Sequence, residues 1–213
     1  MGFRHEICRL RMMVEKCLLR RFIRIMAEDT MNKVVLDLPS LSIFPSYIEA
    51  LEEGHRMGIG KAASEEEILE KKENPKNTIQ NFNKDKKGDT FESPDGSIFD
   101  CVPYEHLWLS KDDVFIGEVS FRHELNEFLT GFGGHAGYGI RPSYENQGYG
   151  TLALKLLRER AYSMGIERLL ITCSPDNPAS EKIIVNNGGE FIDISDNTFG
   201  FDRITKRYWV PVK

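Results

Sequence analysis

Residues 134–161, GHAGYGIRPSYENQGYGTLALKLLRERA, read as a strand, a short turn and a helix that opens on Gly148-Tyr149-Gly150-Thr151. Glycines at a strand-to-helix turn let backbone N–H groups point outward together, at the positive end of the helix dipole. Such a turn holds a phosphate or pyrophosphate without a cationic side chain. The plain alternative is a tight turn whose glycines only supply positive φ. In the helix, Leu152, Leu156, Leu157 and Ala161 fall on one face opposite Lys155, Arg158 and Glu159. Gly165 stands where a left-handed C-terminal residue belongs.

The flanking sequence extends this unit in both directions. Downstream, Arg168–Cys173 (RLLITC) is an almost unbroken apolar run, as for a strand buried on both faces. Asn177-Pro178 supplies a cap and a first-turn proline, Gly188-Gly189 stops that helix, and FIDIS and RITKRYWVPV end the chain as strands. Upstream, CVPYEHLWL (101–109) and VFIGEVSFR (114–122) form a hairpin around Asp112-Asp113. His123–Gly134 reads as a short helical or looped connection. Lys33–Leu38 reads as a first strand, and a helix over 46–57 with Ser46 as its cap follows, carrying Tyr47, Ile48, Leu51 and His55 on its apolar stripe. Residues 61–98 are charged and sparsely apolar, a lid or an insertion with one helical piece near Glu65–Lys72. The order implies an α/β (or α+β) domain: a mixed, mostly antiparallel sheet with helices on both faces. The Arg-rich residues 1–30 read as a helical or disordered N-terminal extension to a domain spanning 31–213, with Met26 and Met31 as alternative starts.

Gly148-x-Gly150-x-x-Ala153 also matches a dinucleotide fingerprint, but its context does not fit. In that fold the strand runs straight into the glycines, whereas Pro142–Gln147 intervene here. The segments IRPSYENQGYGTLALKLL and ITCSPDNPASEKIIVNNGGEF instead resemble the GNAT superfamily of acyl-CoA-dependent N-acetyltransferases, from about residue 101 to the C-terminus. The first is similar to that superfamily's pyrophosphate loop, and the second to its following strand and helix. FRHELN, GGHAGYGIRPS and RYWV resemble a bacterial subgroup of predicted acetyltransferases.

The resemblance implies a central sheet splayed between two strands, with acetyl-CoA as cosubstrate. It implies that Tyr138, Gly139, Ile140 and Arg141 lie along the pantetheine arm. Gln147, Gly148, Tyr149, Gly150 and Thr151 would hold the pyrophosphate, and Asn177 and Ser180 would lie beside them. Two positions depart from the pattern: Glu145 stands at the head of the loop where Gln or Arg is usual, and Ile184 replaces a tyrosine acid. Direct transfer to a primary amine needs a base and an acid. Glu118 and His123 are candidate bases, His135 a further one, and Tyr138 or Tyr208 a candidate acid; Glu118 also reads as a strand residue alternating outward. A non-catalytic acyl-CoA-binding protein on the same scaffold is the alternative.

Composition narrows the partners. A net charge of −5 with mixed acids and bases offers no basic face for nucleic acid, and no apolar run reaches membrane-spanning length. Four scattered cysteines without ligand spacing suit a reducing, cytoplasmic setting and suggest no metal. The expected acceptor is a small-molecule amine or an amino acid derivative, and exposed sheet edges allow a homodimer.

Overall fold

The computed structural model describes residues 33–58, 60–84, 86, 88–196 and 199–213; the expected extension over 1–30 lies outside them. Strand β1 (Val34–Asp37) leads through Pro39 into helix α1 (Phe44–Glu52). The expected cap at Ser46 is displaced: Ile43 stands at the N-cap, three residues earlier, with Pro45 in the first turn. Ser46 Oγ instead accepts from the Phe115 backbone N–H at 3.2 Å and from Arg141 Nη1 at 2.9 Å. The chain leaves α1 through Gly54, at φ +86°, so His55 falls beyond the helix on which it was expected.

The charged insertion is more ordered than its composition suggests. Helix α2 (Glu65–Glu73) opens on a full capping box: Glu67 N–H donates to Ser64 Oγ, and Ser64 N–H donates to Glu67 Oε2. Helix α3 (Pro75–Phe82) follows, then a hairpin of β2 (Thr90–Glu92) and β3 (Ile98–Asp100). Ile68 of α2 and Ile79 and Phe82 of α3 join the core cluster built on Tyr47, Ile48 and Leu51.

Strands β4 (Tyr104–Lys111) and β5 (Val114–Arg122) form the expected hairpin, turning on Asp112 at φ +54°. A π-helical turn, Leu129–Gly133, precedes β6 (Ala136–Ile140), and Pro142–Tyr144 forms a 3-10 turn ahead of α4 (Tyr149–Ser163). Then come β7 (Arg168–Cys173), α5 (Pro178–Asn186), β8 (Glu190–Ser195) and β9 (Thr205–Pro211). The seven-stranded sheet runs β1-β4-β5-β6-β7-β9-β8. Its pairings from β4 to β8 are antiparallel except β6 with β7, so the mixed, mostly antiparallel sheet expected from the sequence is present.

Alternation along β4 shows that helices cover both faces. Trp108 stacks on Tyr47 of α1 at 4.7 Å, whereas Glu105, of opposite parity, binds Arg160 of α4. The splay is equally clear. β6 and β7 share a single paired position, Ala136↔Ile171, beside a His135 N–H to Leu170 C=O bond, and part from Gly137 onward.

Candidate active site

The register of β6 against β5 fixes which backbone groups face the gap. Arg122 N–H donates to His135 C=O and Arg141 N–H to Ile116 C=O, so Gly137 and Gly139 between them bond toward β5. Tyr138 and Ile140 therefore turn their N–H and C=O groups toward the gap, where β7 supplies no strand partner. Gly58 N–H donates to the Tyr138 carbonyl at 3.1 Å, leaving the Tyr138 N–H and the Ile140 groups on that edge. Gly139 does not belong to it: its polar groups lie in the ladder with β5, and its missing side chain makes room for a crossing segment. A Cβ there would come within 2.3 Å of Arg56 O.

At the end of this edge stands the N-terminus of α4. Gly148 takes φ +90°, offers no side-chain cap, and no acid occupies the first turn. Its free N–H groups and the helix dipole favour an anion. Gln147 and Gly148 are exposed, and Glu145 is exposed rather than turned into the loop. Gly150 has a second role that the motif does not reveal, because a Cβ there would lie 2.5 Å from Ile183 Cδ1 of α5. Tyr149 is buried, and Thr151 lends its carbonyl to Asn187 Nδ2 at 3.1 Å.

The Arg141 side chain is committed elsewhere. Its Nε and Nη2 bind Glu53 Oε1 at 2.9 and 2.5 Å, and Nη2 reaches Glu49 at 3.2 Å. It therefore ties the end of β6 to α1, leaving only its backbone near the expected ligand. The Arg141 bond holds the Glu53 carboxyl down at about 2.

Across the gap, Asn177 Oδ1 caps α5 by accepting from Ser180 N–H at 3.0 Å. Ser180 Oγ in turn lies 2.8 Å from the Tyr138 hydroxyl. Burial pushes the Tyr138 phenol up to about 12, so it stays protonated. Ile184 is fully buried against Gly189, which puts the usual acid position inside the core. Tyr208 donates to Glu181 Oε1 at 2.6 Å, and burial raises its pKa.

The two expected bases lie on opposite faces of the sheet. Glu118, 6% exposed, is on the α1 face with its carboxylate accepting from two imidazoles. His106 Nε2 lies 2.7 Å from Oε2, and His55 Nε2 lies 3.1 Å from Oε1. A carboxylate accepts, so each ring carries its proton on Nε2. Burial would raise the Glu118 pKa, but the bonds from His106 and His55 outweigh it and hold the carboxyl well below its usual range. His55 Nδ1 is buried without a partner among the described residues. His123 is on the α4 face beside Glu105, whose carboxylate Arg160 clamps with bonds of 2.6 and 2.6 Å. The 3.5 Å from His123 Nε2 to Glu105 is too long for a hydrogen bond. His135 uses Nδ1 to accept from Leu170 N–H at 2.8 Å, and burial keeps it neutral, down at about 4.

No signal in the sequence links His55 to Glu118, since that pairing spans 63 positions. The period-two pattern of the β4–β5 hairpin does place His106 and Glu118 on one face.

Solved structures share this architecture at low sequence identity. RimJ of Mycobacterium smegmatis, solved in complex with CoA-disulfide, is 12% identical with a TM-score of 0.58, covering 84% of this chain and 81% of its own. An acetyl transferase of Salmonella typhimurium that modifies the N-terminal serine of ribosomal protein L7/L12 is 15% identical with a TM-score of 0.52, covering 85% and 96%. The microcin C7 self-immunity acetyltransferase MccE, in complex with acetyl-CoA and AMP, is 13% identical with a TM-score of 0.51, covering 84% and 92%. No curated protein matches the sequence. The model of the acetyltransferase (GNAT) domain matches residues 51–190, from the end of α1 through α5, and so takes in both the splayed edge and the bare helix end. With about two thirds of its length matched in this way, the chain belongs to the GNAT acetyltransferase domain family.

Proposed function

We propose that the protein transfers an acetyl group from acetyl-CoA to the primary amine of a small molecule or amino acid derivative. The observation that carries this reading is the alignment of an unpartnered strand edge with an uncapped helix N-terminus. The Tyr138 N–H and the Ile140 groups offer strand-like hydrogen bonds to the two amides of a pantetheine arm. The turn at Gln147–Thr151 offers N–H donors to its pyrophosphate. Both features fit acetyl-CoA, the ligand bound in the MccE structure.

In the reaction the free amine attacks the thioester carbonyl, the C–N bond forms and the C–S bond breaks. Starting from an ammonium, nitrogen sheds two protons; one is made up on sulfur and one leaves to solvent. Tyr138, at the splayed edge and held protonated, is the proposed proton donor to the thiolate. Of the two candidate bases, Glu118 faces the side where Gly137 and Gly139 lie, whereas His123 faces the other. The Glu118 carboxylate, held between His106 and His55, is the base we propose for the amine proton.

The reading is tested by titrating acetyl-CoA into the protein and into Gln147→Glu, then measuring thiol release with a panel of amines. Gln147 is exposed, so a carboxylate there should weaken acetyl-CoA at least tenfold while leaving the melting temperature within about 1 °C. Unchanged affinity would place the pyrophosphate elsewhere. The buried Ile184 favours a second reading, a non-catalytic acyl-CoA-binding protein. Tight acetyl-CoA binding with no thiol released by any amine would select it. The free thiols of Cys101 and Cys173 suit the cytoplasmic setting we propose. The apolar, exposed Phe191 and Ile194 of edge strand β8 suit a homodimer.

A further inference from the structure

Arg122, the last residue of β5, lies on the same sheet face as Glu118 and Ser120. Its guanidinium packs over β6, with Nη1 3.8 Å from where a Cβ of Gly137 would stand. Gly137 is the first residue of β6 beyond the shared pair with β7, so Arg122 sits at the apex of the splay. The two face-matched glycines of β6 differ there. Gly139 is roofed by the backbone of Arg56 and Met57, whereas Gly137 meets nothing within 4 Å except Arg122 among the described residues. The floor at Gly137 is therefore open, with Arg122 as its wall.

This arginine is withdrawn from water yet unpaired. Burial pushes its pKa below the usual guanidinium value, opposed by Tyr104 on the neighbouring strand. Among the described residues its side chain has neither a hydrogen bond nor an ion pair, unlike Arg141 with Glu53, Arg160 with Glu105 and Arg207 with Asp193. Glu118, on the same face, is already taken by two histidines, and Glu105 is on the opposite face with Arg160. Lys86 adds a second cation 5.5 Å over the Tyr104 ring. A partly buried guanidinium without a counter-charge is costly, and a planar carboxylate is its natural bidentate partner.

We propose that Arg122 binds a carboxylate of the reacting molecules, so that the substrate is an amine bearing an acid group. This rests on the acetyl-transfer reading above: a pantetheine arm running from the turn at Gly148 along Ile140 and Tyr138 would bring its thioester to the same apex. The same chemistry is available from a second source, a carboxylate on the acyl chain of the donor, and the experiment separates the two.

Amino acids are compared with their own carboxamides as acceptors of acetyl-CoA, in the wild-type protein and in Arg122→Gln and Arg122→Lys. Expected is a preference for acid over amide of at least tenfold in kcat/KM. Arg122→Gln removes it through KM, Arg122→Lys keeps part of it, and the amide rates and acetyl-CoA affinity stay as in the wild type. If instead succinyl-CoA outperforms acetyl-CoA toward amides, and Arg122→Gln abolishes that advantage, the carboxylate is on the acyl chain and the role of Arg122 stands. Equal use of acids and amides together with equal use of both donors overturns it, as does an Arg122→Gln defect that is uniform across acceptors. Calorimetric titration of acid and amide into the acetyl-CoA-bound protein supplies a readout independent of turnover. Acid-selective binding lost in Arg122→Gln supports the role of Arg122 even where no thiol is released, an outcome that would sink only the catalytic reading. Absence of any such selectivity in both turnover and binding overturns the inference while acetyl-CoA binding and thiol release with neutral amines remain to uphold the other.

Discussion

The Glu118 carboxylate accepts a hydrogen bond from each of two imidazoles, at 2.7 and 3.1 Å. The alternating pattern of VFIGEVSFR permits an outward glutamate, yet the side chain is buried between His55 and His106. Its folded pKa is depressed below the unfolded value near 4.5, so it contributes stability above that pH and loses it as pH falls toward 2. Acid titration of the wild-type melting temperature should fall steeply across this window, and Glu118→Gln should flatten that part of the curve. A wild-type curve no steeper than that of the variant would contradict the two histidine bonds. Kinetically, Glu118→Gln should lower kcat by roughly 10²-fold and move the acidic limb of the pH–rate profile, with Glu118→Asp recovering part of the loss. A loss of melting temperature with an unmoved profile would leave Glu118 a purely structural residue.

Among the elements, α4 and α5 meet where the glycine loop begins, and this changes what a loop mutation measures. A side chain at Gly150 would strike Ile183, so Gly150→Val should cost about 1–3 kcal/mol of stability. Ile183→Ala in the same protein should return a large part of that in chemical denaturation; no recovery would show that the strain lies in the loop. Helix α2 offers the opposite case. Its capping box joins Ser64 only to Glu67, so Ser64→Ala should cost about 1 kcal/mol and leave acetyl-CoA affinity unchanged in calorimetry. The local signals that gave strands 114–122 and 168–173 their observed limits are long apolar runs bounded by turns. Helix α3 lacked such a run, since only Ile79 and Phe82 of it reach the core.

Taken as a whole, the molecule keeps its proposed donor-binding geometry in short-range sequence and its proposed proton-transfer groups in long-range packing. The turn at Gly148 and the cap at Asn177 were legible because each acts on backbone within three residues of itself. The contacts of Glu118 with His55, of Arg141 with Glu53 and of Arg122 with Gly137 were not, because each depends on how separate strands and helices come together. Hydrogen exchange should register the same division. The amides of Tyr138 and Ile140, without strand partners, should exchange faster than those of Gly137 and Gly139, and acetyl-CoA should slow them at least tenfold. Equal protection in the free protein would mean that the gap is closed in solution. The single Ala136↔Ile171 pairing also has a mechanical meaning. Strands β1, β4, β5 and β6 and the group of β7, β9 and β8 form two halves of the sheet whose strands pair at that one position, and a ligand lying between them would complete the seam. Pulling the chain ends apart should therefore part the molecule along that line at low force, and a bound donor would raise the rupture force by acting as the missing strand.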